Sequence, residues 1–401
     1  MIKTFKKRSI YLEKIRPFID KDLIKVLVGQ RRVGKSYILL QLMEELKTTY
    51  HVQEKQILYI NKELNEFDHL RDYNDLLLYI KNKVDQTQKN YIFIDEIQDI
   101  SEFEKALRDL QALGNYDLYI SGSNAKLLSS DIATYLTGRY LQFEIYPLTY
   151  PEFLDFHGLQ KGKESFLSYM KIGWLPYLIQ LWTDETITME YVKSIFNTIL
   201  FKDVVQRYQV RNTSFLENLV KYIADNVGNL TTVNNIVKYL KAQKVAIGTN
   251  AVNEYIKYLD NVFLINKVQR QEIVGKKIFE INDKYYFSDL GIRNMLVGWY
   301  KPQDIGKILE NIVFLHFKAL GYQIFVGKNQ EKEIDFVVEK NGDKKYLQVT
   351  YLLSEEAQKR EFKNLIEIPD NYEKIVLTLD DFAWWDWQGI KCYNIMDYLM
   401  L

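Results

Sequence analysis

Cysteine and histidine are scarce in this chain of 401 residues, and neither sign of charge predominates. A single cysteine, Cys392, excludes an intrachain disulfide, and four histidines are too few for the usual zinc fingers or ribbons. The 53 lysines and arginines balance 53 aspartates and glutamates, which excludes a histone-like protein that binds polyanions over its whole surface. Any basic surface for nucleic acid must therefore be local.

Long apolar runs are also absent. The longest uncharged stretch, Ile172–Thr183, is shorter than the roughly 20 residues that a transmembrane helix needs. The basic start of the chain is followed by Glu13, Lys14 and Arg16, where a signal peptide would have its apolar core. We therefore expect a soluble, cytoplasmic protein without a membrane segment. At about 150 residues per domain, the length predicts two or three domains.

Apolar runs typical of strands alternate with helical patterns over residues 20–150. The strand-like runs are Leu23–Val28, Ile57–Ile60, Tyr91–Ile94, Leu118–Ile120 and Tyr140–Ile145, and the helical segments are Ser36–Leu46, Asp75–Val84 and Glu102–Leu113. This alternation predicts an α/β domain whose parallel sheet is covered by helices on both faces. Residues 151–200 are predicted to form a helical extension of that domain.

A glycine-rich loop follows the first of these strands and opens a helix. Its residues match the pattern G-x-x-x-x-G-K-[ST] at every fixed position and are Gly29, Gln30, Arg31, Arg32, Val33, Gly34, Lys35 and Ser36. The glycines allow backbone N–H groups to wrap around phosphates, and the helix N-terminus adds positive potential. We predict that Lys35 reaches the β- and γ-phosphates and that the Ser36 hydroxyl joins the ligands of Mg²⁺.

Two carboxylates follow the strand-like run Tyr91–Ile94. Acidic side chains are costly at the end of a buried strand unless they bind something. We predict that Asp95 holds Mg²⁺ and that Glu96 is the base that polarises the attacking water.

Polar residues near the next two strands are candidates for further roles. In this type of sheet the strand Leu118–Ile120 is expected between the two motif strands, so Ser123 or Asn124 could contact the γ-phosphate or the water. We favour Ser123, as a sensor. Arg139, in the segment Thr137–Arg139, is a candidate arginine finger supplied by the same chain or by a neighbouring subunit, and a structural ion pair is the alternative.

Other classes of nucleotide-binding protein fit less well. A GTPase would carry Asn-Lys-x-Asp late in the sheet, whereas Asn61–Leu64 lacks the aspartate and precedes the carboxylate strand. The segment Asp95–Gln98 is similar to the acidic box of helicases, but the rest of the chain leaves no room for a second motor domain. ATP is therefore the expected nucleotide.

Several different short motifs are spread along the chain. They are Gly29–Ser36, Asp95–Gln98, Ser121–Asn124, Leu136–Tyr140, Tyr286–Arg293, Leu309–Asn311, Glu333–Asp335 and Gln348–Val349. As a set they resemble the AAA-like P-loop ATPases of bacteria and archaea that carry a C-terminal domain of unknown function. The resemblance covers nearly the whole chain and implies an ATPase core with appendages of the kind found in DNA processing.

The middle of the chain predicts three helices followed by two strands, which is the order of a winged helix. The helices are expected near Ser214–Asn226, Val233–Ala242 and Ala251–Asn261, and the strands at Phe263–Gln269 and Ile278–Tyr286. At the predicted hairpin tip, Lys276–Lys277 could contact phosphate. A winged helix would connect the ATPase to duplex DNA.

The third of these helices has the residues to read a DNA groove. Asn250, Asn253 and Lys257 are expected to face away from its apolar side. Residues 201–280 also carry twelve lysines and arginines against seven acidic residues. Glu254 and Asp260 would repel the DNA backbone, so a structural or partner-binding role is the alternative.

The last hundred residues have the element order of a restriction-endonuclease-like core. A helix, three strands, a helix and a strand are expected at 305–319, 322–326, 333–339, 345–353, 354–367 and 374–378. In active members a helix Glu, a strand Asp and a Glu-x-Lys on the next strand gather Mg²⁺ and activate water. Glu310 and Asp335 match the first two as candidate Mg²⁺ ligands, with Glu333 on the same strand face as Asp335.

The third element of that core is altered in this chain. Gln348 is a neutral, weaker ligand, and Thr350 supplies no charge where the lysine would stand. We therefore expect a degenerate domain without nuclease activity that recognises DNA or a partner by shape, with a structural role as the alternative. The Trp384–Trp387 cluster could stack on bases, although such clusters more often belong to a core or an interface.

These predictions divide the chain into three parts: residues 1–200 form the P-loop ATPase domain with a helical extension from about 151, 201–300 a winged-helix-like domain, and 301–401 a restriction-endonuclease-like α/β domain. The leading hypothesis is an Mg²⁺-dependent ATPase that couples its nucleotide state to duplex DNA. A homo-oligomer is one candidate for its assembly. The alternatives are a nucleotide-gated switch that binds a protein partner with little turnover, and an ATP-regulated nuclease.

Overall fold

A computed structural model describes most of the chain. It covers residues 6–125, 136, 138–242, 248–275, 277–330, 332–353, 355–381 and 384–401, without the side chains of 279–281, 355–360 and 384–385. Two compact units form, one from Met1–Ile145 with Asn261–Phe263 and one from Tyr146–Asp260 with Leu264–Leu401. Of the residues singled out in the sequence, Thr137, Lys276 and the side chains of Trp384 and Trp385 lie outside the described part.

Five parallel strands form the sheet of the first unit. They are β1 (Ile24–Val28), β2 (Ile57–Asn61), β3 (Asn90–Asp95), β4 (Tyr116–Gly122) and β5 (Tyr140–Glu144), in the spatial order β2-β3-β4-β1-β5. The helices of this unit are α1 (Ser9–Ile15), α2 (Lys35–Thr48), α3 (Tyr73–Lys83) and α4 (Phe103–Leu113). The predicted parallel α/β sheet is confirmed, and β4 lies between β1 and β3 as expected.

The central strands are buried along their whole length. Every residue of β1, β3 and β4 is buried, which accounts for their nearly continuous apolar sequences. One apolar core joins the sheet to its helices through Val26, Ile92, Ile94, Ile120, Leu76, Ile80, Leu107 and Leu110. A fully buried side chain of this size stabilises the fold by about 1.5–3 kcal/mol. The core therefore holds the carboxyl ends of β1, β3 and β4 in fixed register.

The second unit begins with helices. They are α5 (Tyr150–His157), α6 (Lys163–Ile172), α7 (Glu185–Thr198), α8 (Thr213–Asp225), α9 (Val233–Ala242), α10 (Thr249–Asn261), α11 (Leu290–Leu296), α12 (Ile305–Leu320), α13 (Glu355–Ile366) and α14 (Ile395–Tyr398). A π-helical segment, Ile199–Gln206, continues α7. No helix in the described ranges is long and apolar enough to cross a membrane.

A mixed eight-stranded sheet completes the second unit. Its strands are β6 (Ile265–Glu272), β7 (Ile278–Phe287), β8 (Gln323–Asn329), β9 (Lys332–Lys340), β10 (Asp343–Val349), β11 (Glu373–Thr378), β12 (Trp384–Trp387) and β13 (Ile390–Asn394). The spatial order is β12-β13-β11-β10-β9-β8-β6-β7. The hairpin β6–β7 therefore continues the C-terminal sheet, because β6 pairs in parallel with β8. The boundary near residue 300 stays a prediction.

Side-chain caps explain where several helices begin. The Asp72 carboxylate accepts hydrogen bonds from the backbone N–H groups of Asn74 and Asp75 at the start of α3. At the start of α5, Thr149 and Glu152 form a reciprocal capping box. Each such cap stabilises its helix by roughly 1 kcal/mol.

The motif Tyr286–Arg293 is a close-packed junction within the second unit. Asp289 caps α11 by accepting the N–H of Ile292 at 3.0 Å, and it also accepts the N–H of Trp174 at 2.6 Å. A Cβ on Gly291 would lie 2.5 Å from the carbonyl oxygen of Ile172, so a side chain cannot fit there without a backbone shift. The motif joins the loop after α6 to the start of α11.

Candidate functional site

The predicted phosphate loop joins the carboxyl end of β1 to the start of α2. Gly29 has φ +151°, and a Cβ there would lie 2.2 Å from the carbonyl oxygen of Ile145. Gly34 has φ +98° and immediately precedes α2. Glycine is required at both positions, since one has no space for a side chain and the other adopts a left-handed conformation. A helix N-terminus that follows such a turn can bind an anion through its backbone N–H groups.

Lys35 is held inside this loop. Its Nζ donates to the carbonyl oxygens of Gly29 and Gln30, at 3.1 Å each, and lies 3.9 Å from Glu96 Oε1. The side chain is only 4% exposed. The loop thus presents a buried ammonium to the carboxylate that follows β3.

Asp95 is the last residue of β3 and is fully buried. Its carboxylate accepts hydrogen bonds from Ser121 Oγ, from the Tyr59 hydroxyl at 3.2 Å and from the Ser36 hydroxyl. Burial raises the pKa of Asp95, and the hydrogen bonds from Ser121 and Ser36 oppose that rise. The structure therefore brings together the two predicted Mg²⁺ ligands, Ser36 and Asp95.

Glu96 turns away from β3 with φ +54°, a left-handed conformation that is uncommon outside glycine. Its Oε2 accepts hydrogen bonds from Ser123 Oγ, at 3.1 Å, and from Gln98 Nε2. Burial favours the neutral acid, but the charge of Lys35 and the bond from Gln98 outweigh it and lower the pKa of Glu96. Glu96 is therefore ionised at neutral pH and able to accept a proton.

The loop residues between the two glycines differ in their surroundings. Arg31 is buried, and its guanidinium donates to Glu63 Oε1 at 3.0 Å and lowers the pKa of Glu96. Arg32 is exposed, with φ +70°. Val33 is fully buried.

The residues present fit a nucleotide with Mg²⁺. The amide of Gln30 is buried, and neither its nitrogen nor its oxygen has a hydrogen-bond partner among the described residues. A buried amide without a partner costs about 1–3 kcal/mol, which a bound ligand can offset. A serine hydroxyl and a carboxylate supply the oxygen donors that Mg²⁺ prefers. The glycine turn, Gln30 and this oxygen pair all agree with a phosphate ligand at the loop.

Arg139 lies at the amino ends of the parallel strands, whereas the loop lies at their carboxyl ends. It directly precedes β5, which runs parallel to β1 with Tyr140 opposite Ile24. The loop begins after Val28, so the length of the strand, about 15 Å, separates the two positions. The Arg139 side chain is exposed. The structure does not bring Arg139 to the loop of its own chain, and a role toward a neighbouring subunit stays a prediction.

The sequence analysis did not predict three side chains that donate hydrogen bonds to Asp95 or Glu96. They are Gln98, Ser121 and Tyr59. Gln98 and Ser121 lie within the quoted motifs Asp95–Gln98 and Ser121–Asn124, so their proximity to the carboxylates was a usable signal. Tyr59 had no local signal, because it reaches Asp95 only through the parallel pairing of β2 with β3.

The structure also brings Glu310 and Asp335 of the second unit together, with Glu333 beside them. A lysine that the sequence did not suggest, Lys284 on β7, lies among them. Its Nζ is 3.0 Å from Glu310 Oε2, 2.8 Å from Glu333 Oε1 and 3.6 Å from Asp335 Oδ1. Burial, followed by the negative charge of Glu310, raises the pKa of Asp335 to about 8.

The fold and the loop geometry define the first unit as a P-loop nucleotide-binding domain. In agreement, residues 21–154 match the family model of the AAA domain. Residues 163–303 match a second model, described as a domain of unknown function (DUF8612). The protein thus contains an AAA domain followed by a second region that matches a domain of unknown function.

Two relatives match this chain in sequence over most or all of their length. An uncharacterized protein of Haemophilus influenzae is 35% identical over 407 residues, covering 100% of both chains. An uncharacterized protein of Methanocaldococcus jannaschii is 32% identical over 394 residues, covering 93% of this chain and 83% of the relative. The chain belongs to the family of these proteins.

The solved structures that resemble this chain give low TM-scores. Cdc6p of Pyrobaculum aerophilum gives a TM-score of 0.33 at 11% identity, over 78% of this chain and 97% of the other. A DNA polymerase III gamma subunit-related protein of Thermotoga maritima gives 0.30 at 14% identity, over 63% and 99%. The family assignment therefore comes from the two relatives.

Proposed function

We propose that this protein binds ATP with Mg²⁺ and hydrolyses it. The observation that carries the proposal is the short distance, 3.9 Å, between the buried Lys35 ammonium and the buried Glu96 carboxylate, with Asp95 and Ser36 beside them. A cation for the transferred phosphoryl group, a base for water and a pair of oxygen ligands are the parts that phosphoryl transfer to water needs.

Each part has a defined task in the proposed reaction. Backbone N–H groups of the loop and the Lys35 ammonium bind the β- and γ-phosphates and stabilise the charge that spreads over the γ-phosphoryl oxygens. Mg²⁺, held by Ser36 and Asp95, would neutralise phosphate oxygens. Glu96 orients a water and accepts its proton, and Ser123 and Gln98 fix the carboxylate by donating to one of its oxygens.

Steady-state phosphate release tests this proposal. Wild type should hydrolyse ATP only with Mg²⁺, and Lys35→Ala should lose nucleotide binding together with hydrolysis. Lys47→Ala is a matched control, since Lys47 lies on the same helix but forms a surface pair with Glu54. Equal hydrolysis by wild type and Lys35→Ala would refute the assignment.

We further propose that the segment α8–β7 is a winged helix that couples the ATPase to duplex DNA. Three helices followed by an antiparallel hairpin are the elements that a winged helix requires. On α10, Val252 and Ile256 are buried, while Asn250, Asn253 and Lys257 are exposed. These exposed groups can donate to base edges and phosphates.

ATP hydrolysis with and without duplex DNA tests the coupling. DNA should raise the rate, and Lys257→Glu should reduce that stimulation while the rate without DNA stays the same. Lys193→Glu, which changes the same charge at an exposed position on α7, is the control. If DNA leaves the rate of wild type unchanged, α10 is better explained as a surface for a protein partner.

A further inference from the structure

Three carboxylates of the second unit surround one lysine. Lys284 Nζ lies within 3.0 Å of both Glu310 Oε2 and Glu333 Oε1, and 3.6 Å from Asp335 Oδ1. The Lys284 side chain is 2% exposed, whereas the carboxylates are 13–32% exposed. The ammonium therefore occupies the middle of the group, and the acids lie around it.

Three elements of the second unit supply the members of this group. Lys284 and Tyr286 lie two residues apart on β7 and so point to one face of the strand, and Glu333 and Asp335 do the same on β9. Glu310 comes from α12, and the Tyr286 hydroxyl donates to its Oε2 at 3.0 Å. The ammonium thus joins β7, β9 and α12 through ionic contacts.

Other ligand atoms near this centre already have protein partners. Asp335 Oδ2 accepts the backbone N–H of Val349 at 2.9 Å. The Gln348 side chain is used at both ends, because its Oε1 accepts the N–H of Asp335 at 2.7 Å and its Nε2 donates to Glu361. Gln348, at the third metal-binding position of active nucleases, therefore serves as a hydrogen-bonding bridge.

A divalent cation does not fit this arrangement. Mg²⁺ binds oxygen at about 2.0–2.1 Å in octahedral geometry, and the space between the three carboxylates is filled by Nζ. A second cation placed beside a buried ammonium would be repelled by it. In the described part of the chain, no group of three or more acidic, histidine or cysteine side chains is arranged to hold a metal ion.

We propose that Lys284 takes the place of a divalent cation in this centre, so that Glu310 and Glu333, with Asp335 beside them, neutralise a built-in ammonium and the centre binds no Mg²⁺. The carboxylates that the sequence offered as nuclease ligands then hold the sheet and α12 together instead of activating water. This inference is independent of the proposed ATPase activity, which uses other residues in the other unit.

Manganese binding to the full chain, measured from the loss of the free Mn²⁺ paramagnetic resonance signal without nucleotide, tests the proposal. Wild type and Asp335→Asn should give the same weak binding. Lys284→Met, which keeps the side-chain length and removes the charge, should bind one Mn²⁺ at least about tenfold more tightly. The added Asp335→Asn change should abolish that gain.

A matched control is Lys344→Met, since Lys344 is another buried lysine of this sheet but pairs with Glu339 at 3.4 Å. It should gain no Mn²⁺ site. A folded Lys284→Met protein without the gain would overturn the proposal. So would a wild-type Mn²⁺ site, or Mn²⁺-dependent DNA cleavage, that Asp335→Asn removes, and this comparison decides the matter even if Lys284→Met does not fold.

Discussion

Lys35 Nζ and Glu96 Oε1 face each other across 3.9 Å, and both side chains are almost completely buried. A γ-phosphate bound at the loop is attracted by the ammonium and repelled by the carboxylate. The glutamate that we propose as the base should therefore also weaken the binding of ATP. In a buried site this repulsion is screened little by salt.

Glu96→Gln should separate these two effects. The substitution keeps the shape and removes the charge, so ATP should bind more tightly, by a factor on the order of ten, if about 1.4 kcal/mol of repulsion is relieved. Hydrolysis should fall by two to four powers of ten, roughly the usual contribution of a general base. Fluorescent-nucleotide titration and phosphate release measure the two quantities. A variant that hydrolyses ATP at the wild-type rate would remove Glu96 from the mechanism.

Ser123→Ala should shift the pH dependence of hydrolysis. Ser123 donates to Glu96 Oε2 at 3.1 Å and so helps to lower the pKa of that carboxyl. The base acts when ionised, so losing the donor should raise its pKa and move the acidic limb of kcat toward higher pH. Ser168→Ala, at a half-buried serine on α6 whose hydroxyl donates to the carbonyl oxygen of Glu164, serves as the control. A drop in kcat at every pH without a displaced limb would mean that Ser123 contacts the phosphate instead.

Arg139→Ala should reveal whether a second subunit completes the site. Arg139 lies at the amino ends of the strands of its own sheet, about 15 Å from the phosphate loop of the same chain. If it acts on a neighbour, specific activity should rise with protein concentration in wild type, and Arg139→Ala should lose this rise. A mixture of Arg139→Ala with Lys35→Ala should then regain activity, because each supplies what the other lacks. Concentration-independent activity, unchanged in Arg139→Ala, would exclude the finger.

The sequence was sufficient to predict the loop after β1 and the position of the two carboxylates at the end of β3. A phosphate loop needs glycines at set positions after a strand, and Gly29 and Gly34 meet that backbone requirement within eight residues. The carboxylates Asp95 and Glu96 follow an apolar strand directly, so their place at the sheet edge follows from strand direction alone. The same reasoning could have placed Arg139 correctly, since a residue that precedes a parallel strand lies at the amino edge.

Long-range contacts explain what the sequence could not provide. Lys284 meets Glu310 and Asp335 only because β7, α12 and β9 converge, and no spacing along the chain indicates that convergence. The nuclease-like pattern pointed to a missing lysine at Thr350, while the structure contains a lysine on another strand of the sheet. Local sequence patterns can indicate the order of helices and strands. They cannot indicate which cation lies beside a buried acid, because tertiary packing decides that contact.

Gly291→Ala should destabilise the second unit. The added Cβ would lie 2.5 Å from the carbonyl oxygen of Ile172 and would force apart the loop after α6 and the start of α11. Overpacking of this kind costs typically 1–3 kcal/mol, and displaced bonds of Asp289 would add to it. The unfolding midpoint in urea should fall accordingly. Gly306→Ala, at a position with open space for a Cβ, is the matched control and should change little.

Acid should destabilise the second unit through His316. The ring lies on α12, its Nδ1 has no hydrogen-bond partner among the described residues, and burial lowers its pKa from 6.5 to about 4. The unfolded chain therefore binds a proton that the folded chain does not between these two values. Stability contributed by the neutral ring is complete above pH 6.5 and is lost as the pH falls toward 4.

The full effect is on the order of 3 kcal/mol, from 1.36 kcal/mol per pKa unit. His316→Leu replaces the ring by an apolar side chain of similar size that does not titrate. Its urea-unfolding free energy should therefore fall less between pH 7 and pH 4.5 than that of wild type. His51→Gln, a change at an exposed histidine, should follow the wild-type curve. If His316→Leu and wild type lose stability in parallel, the acid sensitivity belongs to other groups.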